Sequence, residues 1–135
     1  MDDGDLQLRF APDAVALAGM RRELSEWLTE GGIPTDVVDE LVLAADELCA
    51  NAIEAAAGGE VHLEARSDGS AVHLAVSNAG HAPEDLSRGG QSAQPGDVAR
   101  ERGRGLLIVR AVTDSLAIVN VDGHTVARAV RVLDP

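Results

Sequence analysis

The chain contains no lysine; its eleven cations are all arginine. A phosphate-binding P-loop is therefore excluded, because that cradle requires a Gly-Lys-Ser/Thr step. Aromatic residues are nearly missing, with Phe10 and Trp27 the only two, so the core must be built from Leu, Val, Ile and Ala. The single cysteine, Cys49, rules out an internal disulfide and reads as a small core residue in a reducing compartment. No stretch approaches the roughly 20 apolar residues of a membrane span. The N-terminal "MDDGDLQLRF" is acidic and has no signal-like apolar run, so a cytoplasmic location is expected. Positive charge is also scarce. Eleven cations against 23 carboxylates give a net charge of −12 and a pI near 4.5. Without a basic stripe, direct nucleic-acid binding is not expected, since phosphate neutralisation dominates that affinity.

What is present is a globular composition. Hydrophobic residues make up 45% of 135, enough for a single domain over 1–135 with one core. "LQLRF" (6–10) alternates as a strand does, and Pro12-Asp13 opens a helical spacing that stops at Gly31-Gly32. Thr35 is a capping residue with Asp36 in the first turn of a second helix, which ends at Gly58-Gly59. "EVHLEARS" and "AVHLAVSN" alternate around "SDGS" (67–70) and predict a hairpin. Residues 81–104 are polar and aperiodic, a loop long enough to suggest a functional one. "GLLIVRAV" reads as a short helix, and "DSLAIVNVDGHTVARAVRVL" as a second hairpin turning at Asp122-Gly123. The order β-α-α-β-β-loop-α-β-β predicts an α/β (α+β) two-layer sandwich. Its mixed, mostly antiparallel sheet would be covered on one face by helices.

Three short stretches could carry chemistry. In "AADELCANAIEAA" (44–56), Glu47 and Asn51 lie one helical turn apart on one face, with Glu40 and Glu54 near the same line. A solvated acidic stripe accounts for this. So does a general base beside an oxygen ligand for Mg²⁺, an ion that keeps several waters and takes other ligands from phosphates. In "RGRGLLIV" (102–109), Gly103 and Gly105 bracket Arg104 ahead of an apolar helix. That is either a hinge or an anion site at a helix N-terminus. In "AVSNAGHAP" (75–83), a strand ends in Asn78-Ala79-Gly80, which an Asx-type turn would also explain.

In this order and spacing the three stretches resemble one family, the GHKL ATPases. The runs "LVLAADELCANAI" and "GRGLLIVRAVTDSLAI" narrow the resemblance to the bacterial anti-sigma factor serine-protein kinases, which have a histidine-kinase-like ATPase domain of the Bergerat type. The resemblance implies ATP and Mg²⁺ as cofactors. It implies a sigma factor and an anti-sigma factor antagonist as partners, with pairing into a homodimer. Glu47 would be the catalytic base and Asn51 the Mg²⁺ ligand. Gly80 would let the backbone approach adenine, and residues 81–102 would form an ATP lid. Gly103, Arg104, Gly105 and Leu106 would turn N–H groups to the phosphates at a helix start, and Thr125 would support the adenine pocket. Asn78 stands where relatives normally carry an aspartate that accepts from the adenine amine. A common second glycine is Ala82 here, and a common histidine is Ala55. The chain is thus expected to be either a protein serine/threonine kinase with weakened base recognition or a module that regulates by partner binding alone.

Overall fold

The computed structural model describes residues 4–55, 59–79, 97–121 and 124–134. Along them run β1 (Leu6–Phe10), a 3₁₀ turn (Ala14–Ala16), α1 (Leu17–Glu30), α2 (Thr35–Ala55), β2 (Val61–Ser67), β3 (Ala71–Ala79), α3 (Asp97–Val112), β4 (Ser115–Val121) and β5 (His124–Val132).

Local chemistry sets the element ends. Asp13 caps the 3₁₀ turn by accepting from the Val15 N–H at 3.0 Å. After α1 the chain enters a left-handed conformation at Gly32, φ +83°, which a side chain would strain. The Ile33 N–H then reaches the Leu28 carbonyl and the Gly32 N–H the Thr29 carbonyl, which satisfies the last carbonyls of the helix. At the start of α2 the Pro34 carbonyl accepts from Val38 at 2.9 Å. Thr35 is thus already inside the helix, one residue past the capping position expected for it. In the β2–β3 turn Gly69 takes φ +88°, and the Asp68 carboxylate accepts from the Ser70 and Ala71 N–H groups, both at 2.9 Å. These two bonds, followed by the His73 contact, hold the Asp68 carboxyl below its ordinary range.

The strands form one sheet in the order β1-β2-β3-β5-β4. All four pairings are antiparallel, so the described sheet has none of the parallel pairing that a mixed sheet would include. The alternation of each strand puts one set of side chains under the helices. Val61, Leu63 and Ala65 of β2, Val72, Leu74 and Val76 of β3, and Ala127 and Ala129 of β5 are buried with Met20, Leu24 and Leu28 of α1 and with Leu41, Ala45 and Leu48 of α2. The other face carries Arg9, Glu64, Arg66 and Arg128. The architecture is the two-layer α/β sandwich that the element order predicts.

One element differs in length. The helix expected from Gly105 begins at Asp97. The segment "DVARER" supplies good helix formers and an acid in the first turn, and the glycines after it are tolerated inside the helix. Residues 97–102 of the expected lid are therefore helical, while 81–96 lie outside the described residues.

Candidate functional site

The long helix α2 presents two neighbouring faces. Leu41, Ala45, Leu48 and Ala52 are buried, while Glu47 and Asn51 are half-buried beside them. The acidic line does not act as one stripe. Glu40, two turns before Glu47, pairs with Arg131, which also donates to the Val112 carbonyl at 2.8 Å. Glu54 at the other end is exposed. Burial, and then the charge of the adjacent Asp46, push the Glu47 carboxyl above its ordinary value. A base of raised pKa is better matched to proton abstraction near neutrality. The Asn51 Nδ2 is buried and makes no hydrogen bond among the described residues. Such an orphan is costly in a finished core and points to a site that a ligand completes.

The sheet brings the other polar groups to the same place. Asn78 near the end of β3 stands directly opposite Thr125 on β5, and Thr125 stands opposite Asn120 on β4. Asn78 and Thr125 are the two buried polar residues of the described chain, 4% and 7% exposed. The Thr125 hydroxyl donates to Asn120 Oδ1 at 3.0 Å. Asn51, Asn78 and Thr125 line one cavity with Leu48, Ala52, Ala55, Val76, Leu106, Ile118 and Ala127. It holds only about 30 Å³ of space for water-sized molecules and is a narrow cleft with apolar walls and a few polar groups.

From the other side the cavity is closed by α3. Leu106 is buried and lines it. Gly105 lies so close to α2 that a Cβ there would sit 2.7 Å from Glu47 Oε1. The glycine thus makes room for the carboxylate at the seam between the two helices. Gly103, Arg104, Gly105 and Leu106 fall inside α3 rather than at its N-terminus. In this conformation their N–H groups pair along the helix, which corrects the expectation that they open it. Gly80 lies outside the described residues.

Residues 10–131 match the histidine kinase-like ATPase domain family. The chain belongs to that family. Two solved structures share the fold. One is the crystal structure of the RsbU and RsbW domains of Rv1364c from Mycobacterium tuberculosis, with a TM-score of 0.71 and 22% identity over 98% of this chain. The present chain spans only 33% of that one. The other is a chain of the SiaB–SiaC complex from Pseudomonas aeruginosa, with a TM-score of 0.69 and 18% identity over 91% of this chain and 88% of that one.

A histidine kinase-like ATPase domain implies a nucleotide site, and the donors present suit one. Among the described residues no group of three or more His, Cys, Asp or Glu could hold a metal. Mg²⁺ nevertheless keeps several waters and takes much of its coordination from substrate phosphates, so it needs few protein oxygens. Asn51 lines the cleft, and its Nδ2 is buried without a partner among the described residues. A roomier cleft of about 470 Å³ lies at the N-terminal end of α2, against Pro34, Asp36, Glu40 and Arg131, and holds none of these groups. Sequence reasoning did not single out Asn120, Val76, Ile118 or Ala127. The alternation of "AVHLAVSN", "LAIVN" and "TVARA" places them on the inner face, but the meeting of Asn120, Ile118 and Ala127 with Asn78 depends on register, which the alternation does not specify. No described helix is long and apolar enough to cross a membrane.

Proposed function

We propose that the chain is an ATP-binding anti-sigma factor of the protein serine/threonine kinase kind, which restrains a sigma factor and phosphorylates its antagonist in the cytoplasm. The observation that carries this reading is the convergence of Asn51, Asn78 and Thr125 on one cleft, with Glu47 seated against Gly105 at its edge. The motif resemblance to anti-sigma factor kinases supports the biological role. So does the shared fold with a structure containing an RsbW domain and with one solved as a two-protein complex.

In this reading Glu47 takes the proton from the attacking serine or threonine hydroxyl, helped by its raised pKa. Asn51 holds the Mg²⁺ that neutralises the triphosphate. Asn78, supported by Thr125, meets the base, and Gly80 gives the backbone access to it. Gly103, Arg104, Gly105 and Leu106 face the phosphates once the turns of α3 ahead of them give way. Transfer of this kind depends on positioning and charge stabilisation more than on covalent steps.

A second reading is a module that regulates by binding partners without catalysis. The neutral amide at Asn78 favours it, and so does the commitment of the Gly103–Leu106 N–H groups to the helix. Calorimetric titration of Mg-ATP, followed by a transfer assay on a serine-containing antagonist, separates the two. Saturable binding with transfer supports the kinase. Absence of nucleotide binding leaves the partner-binding module.

A further inference from the structure

The helices α2 and α3 meet at two matching places. At the edge of the cleft Glu47 of α2 faces Gly105 of α3, where a Cβ would sit 2.7 Å from Glu47 Oε1. At the far end Glu40 of α2 and the Val112 carbonyl of α3 share one nitrogen. Arg131 Nη1 donates to both, to the carbonyl at 2.8 Å. Glu40 precedes Glu47, and Val112 follows Gly105, by the same seven residues, so the helices run antiparallel. Seven residues close two turns to within about 20°. Each helix therefore presents both of its points on one face, roughly 10 Å apart.

Arg131 stands where the sheet would otherwise offer a small or apolar side chain. The inward row of β5 runs Thr125, Ala127, Ala129, Arg131, and the charged member comes last. Val112 ends α3, so its carbonyl has no partner within the helix, and a cation there also suits the negative end of the helix dipole. Leu106 and Val109 bury α3 in the core it shares with α2. Apolar contact is non-directional, however, and leaves open how far one helix slides along the other. Directed bonds from one nitrogen settle that. We propose that Arg131 is a positioning residue: by tying α2 at Glu40 to the end of α3, it holds the register in which Gly105 meets Glu47 and keeps that carboxylate placed for proton abstraction. Arg131 itself does not line the cleft. This inference rests on Glu47 being the base of a phosphoryl-transfer site.

The test follows phosphate release from Mg-ATP by the full chain, with water as the acceptor: water adds to the γ-phosphorus, its proton passes to Glu47 and ADP departs. The Glu47 carboxyl is also titrated by carbon NMR without nucleotide. Glu40→Ala removes the bond to α2 and leaves the end of α3 capped; Glu40 is half-exposed, so the core is untouched. Arg131→Met removes both bonds and keeps the apolar stem. Each should lower kcat about tenfold or more, as a slightly misplaced base does. KM for Mg-ATP should stay within about twofold, since neither residue lines the cleft. In both variants the Glu47 carboxyl should titrate lower than in the wild type, because burial raises it and a slipped seam admits water. Arg131→Lys, whose single nitrogen can also donate to both acceptors, should recover part of the lost kcat. An unchanged kcat in both variants overturns the assignment, and so does a lost kcat with an unmoved Glu47 titration. A wild type that binds Mg-ATP without releasing phosphate removes Glu47 as a base, and the role of Arg131 with it. A wild type that binds no Mg-ATP removes the nucleotide reading itself.

Discussion

At the scale of the residue, Glu47 and Gly105 are one device. The carboxylate needs the space that the glycine leaves, since a Cβ would approach Oε1 to 2.7 Å. Gly105→Ala should therefore displace the end of a flexible side chain rather than the backbone. Stability should change by no more than about 1 kcal/mol, while transfer should fall at least about tenfold, as expected when a base is misplaced. Parallel urea and transfer measurements check this; a large loss of stability with proportionate loss of activity would mean the glycine serves packing alone. Glu47→Gln separates charge from shape. The folded carboxyl titrates above its ordinary 4.5, so the folded state keeps the proton to higher pH than the unfolded chain does. Stability is therefore lost as pH rises from about 4.5 through the folded value, and stays reduced above it. The Gln variant should lack that slope and gain stability relative to wild type at pH 7 compared with pH 4, while losing transfer and retaining ATP binding. Cys49 behaves oppositely to a reactive thiol. It is fully buried, and burial followed by the Asp46 charge pushes its thiol up to about 12, so thiol reagents should modify it only on unfolding.

At the scale of the element, some parts were legible in the sequence because their signals are local. β1 coincides with "LQLRF", the Gly31-Gly32 stop became a left-handed C-terminal cap, and the hairpin turn fell at 67–70. The start of α3 was not legible in this way. Proline and glycine around it suggested a break, whereas "DVARER" carries the helix on across Gly103. The local spacing places Gly105 in a phosphate turn, whereas its contact with Glu47 depends on how closely α2 and α3 pack, which no local signal specifies. Glu47 and Asn51 were legible as one face by periodicity, but Asn120 became visible only through the pairing of β4 with β5. The cap after α1 makes a clean test of a local signal. Nothing lies within 4 Å of a Cβ built on Gly32, so Gly32→Ala introduces strain without a clash. Its φ of +83° should cost about 1–2 kcal/mol in urea unfolding, with ATP affinity unchanged. A neutral result would show that the connection to α2 relaxes freely.

At the scale of the whole molecule, the binding site and the charge of the chain have to be considered together. A net charge of −12 means that Mg²⁺ alone, by screening repulsion among carboxylates, stabilises the fold whether or not any nucleotide site exists. The informative quantity is therefore the increment that ATP adds at constant free Mg²⁺ and ionic strength. A ligand that binds only the folded state at 100 times its dissociation constant adds about 2.7 kcal/mol. For a domain of this size that should raise the melting temperature by about 10 °C. On the proposed assignment of Mg²⁺ to Asn51, ATP with chelator should give a smaller rise. Asn51→Ala should bring the Mg-ATP increment down to the chelated value, yet respond to Mg²⁺ alone as the wild type does, since the charge of the chain is unchanged. It should also gain some stability without ligand, because the substitution removes the buried Nδ2 that has no partner among the described residues. That combination, a more stable free protein with less to gain from Mg-ATP, is what a binding residue produces. If Asn51→Ala is less stable and its ATP increment is intact, the amide belongs to the packing of α2, and the Mg²⁺ assignment fails.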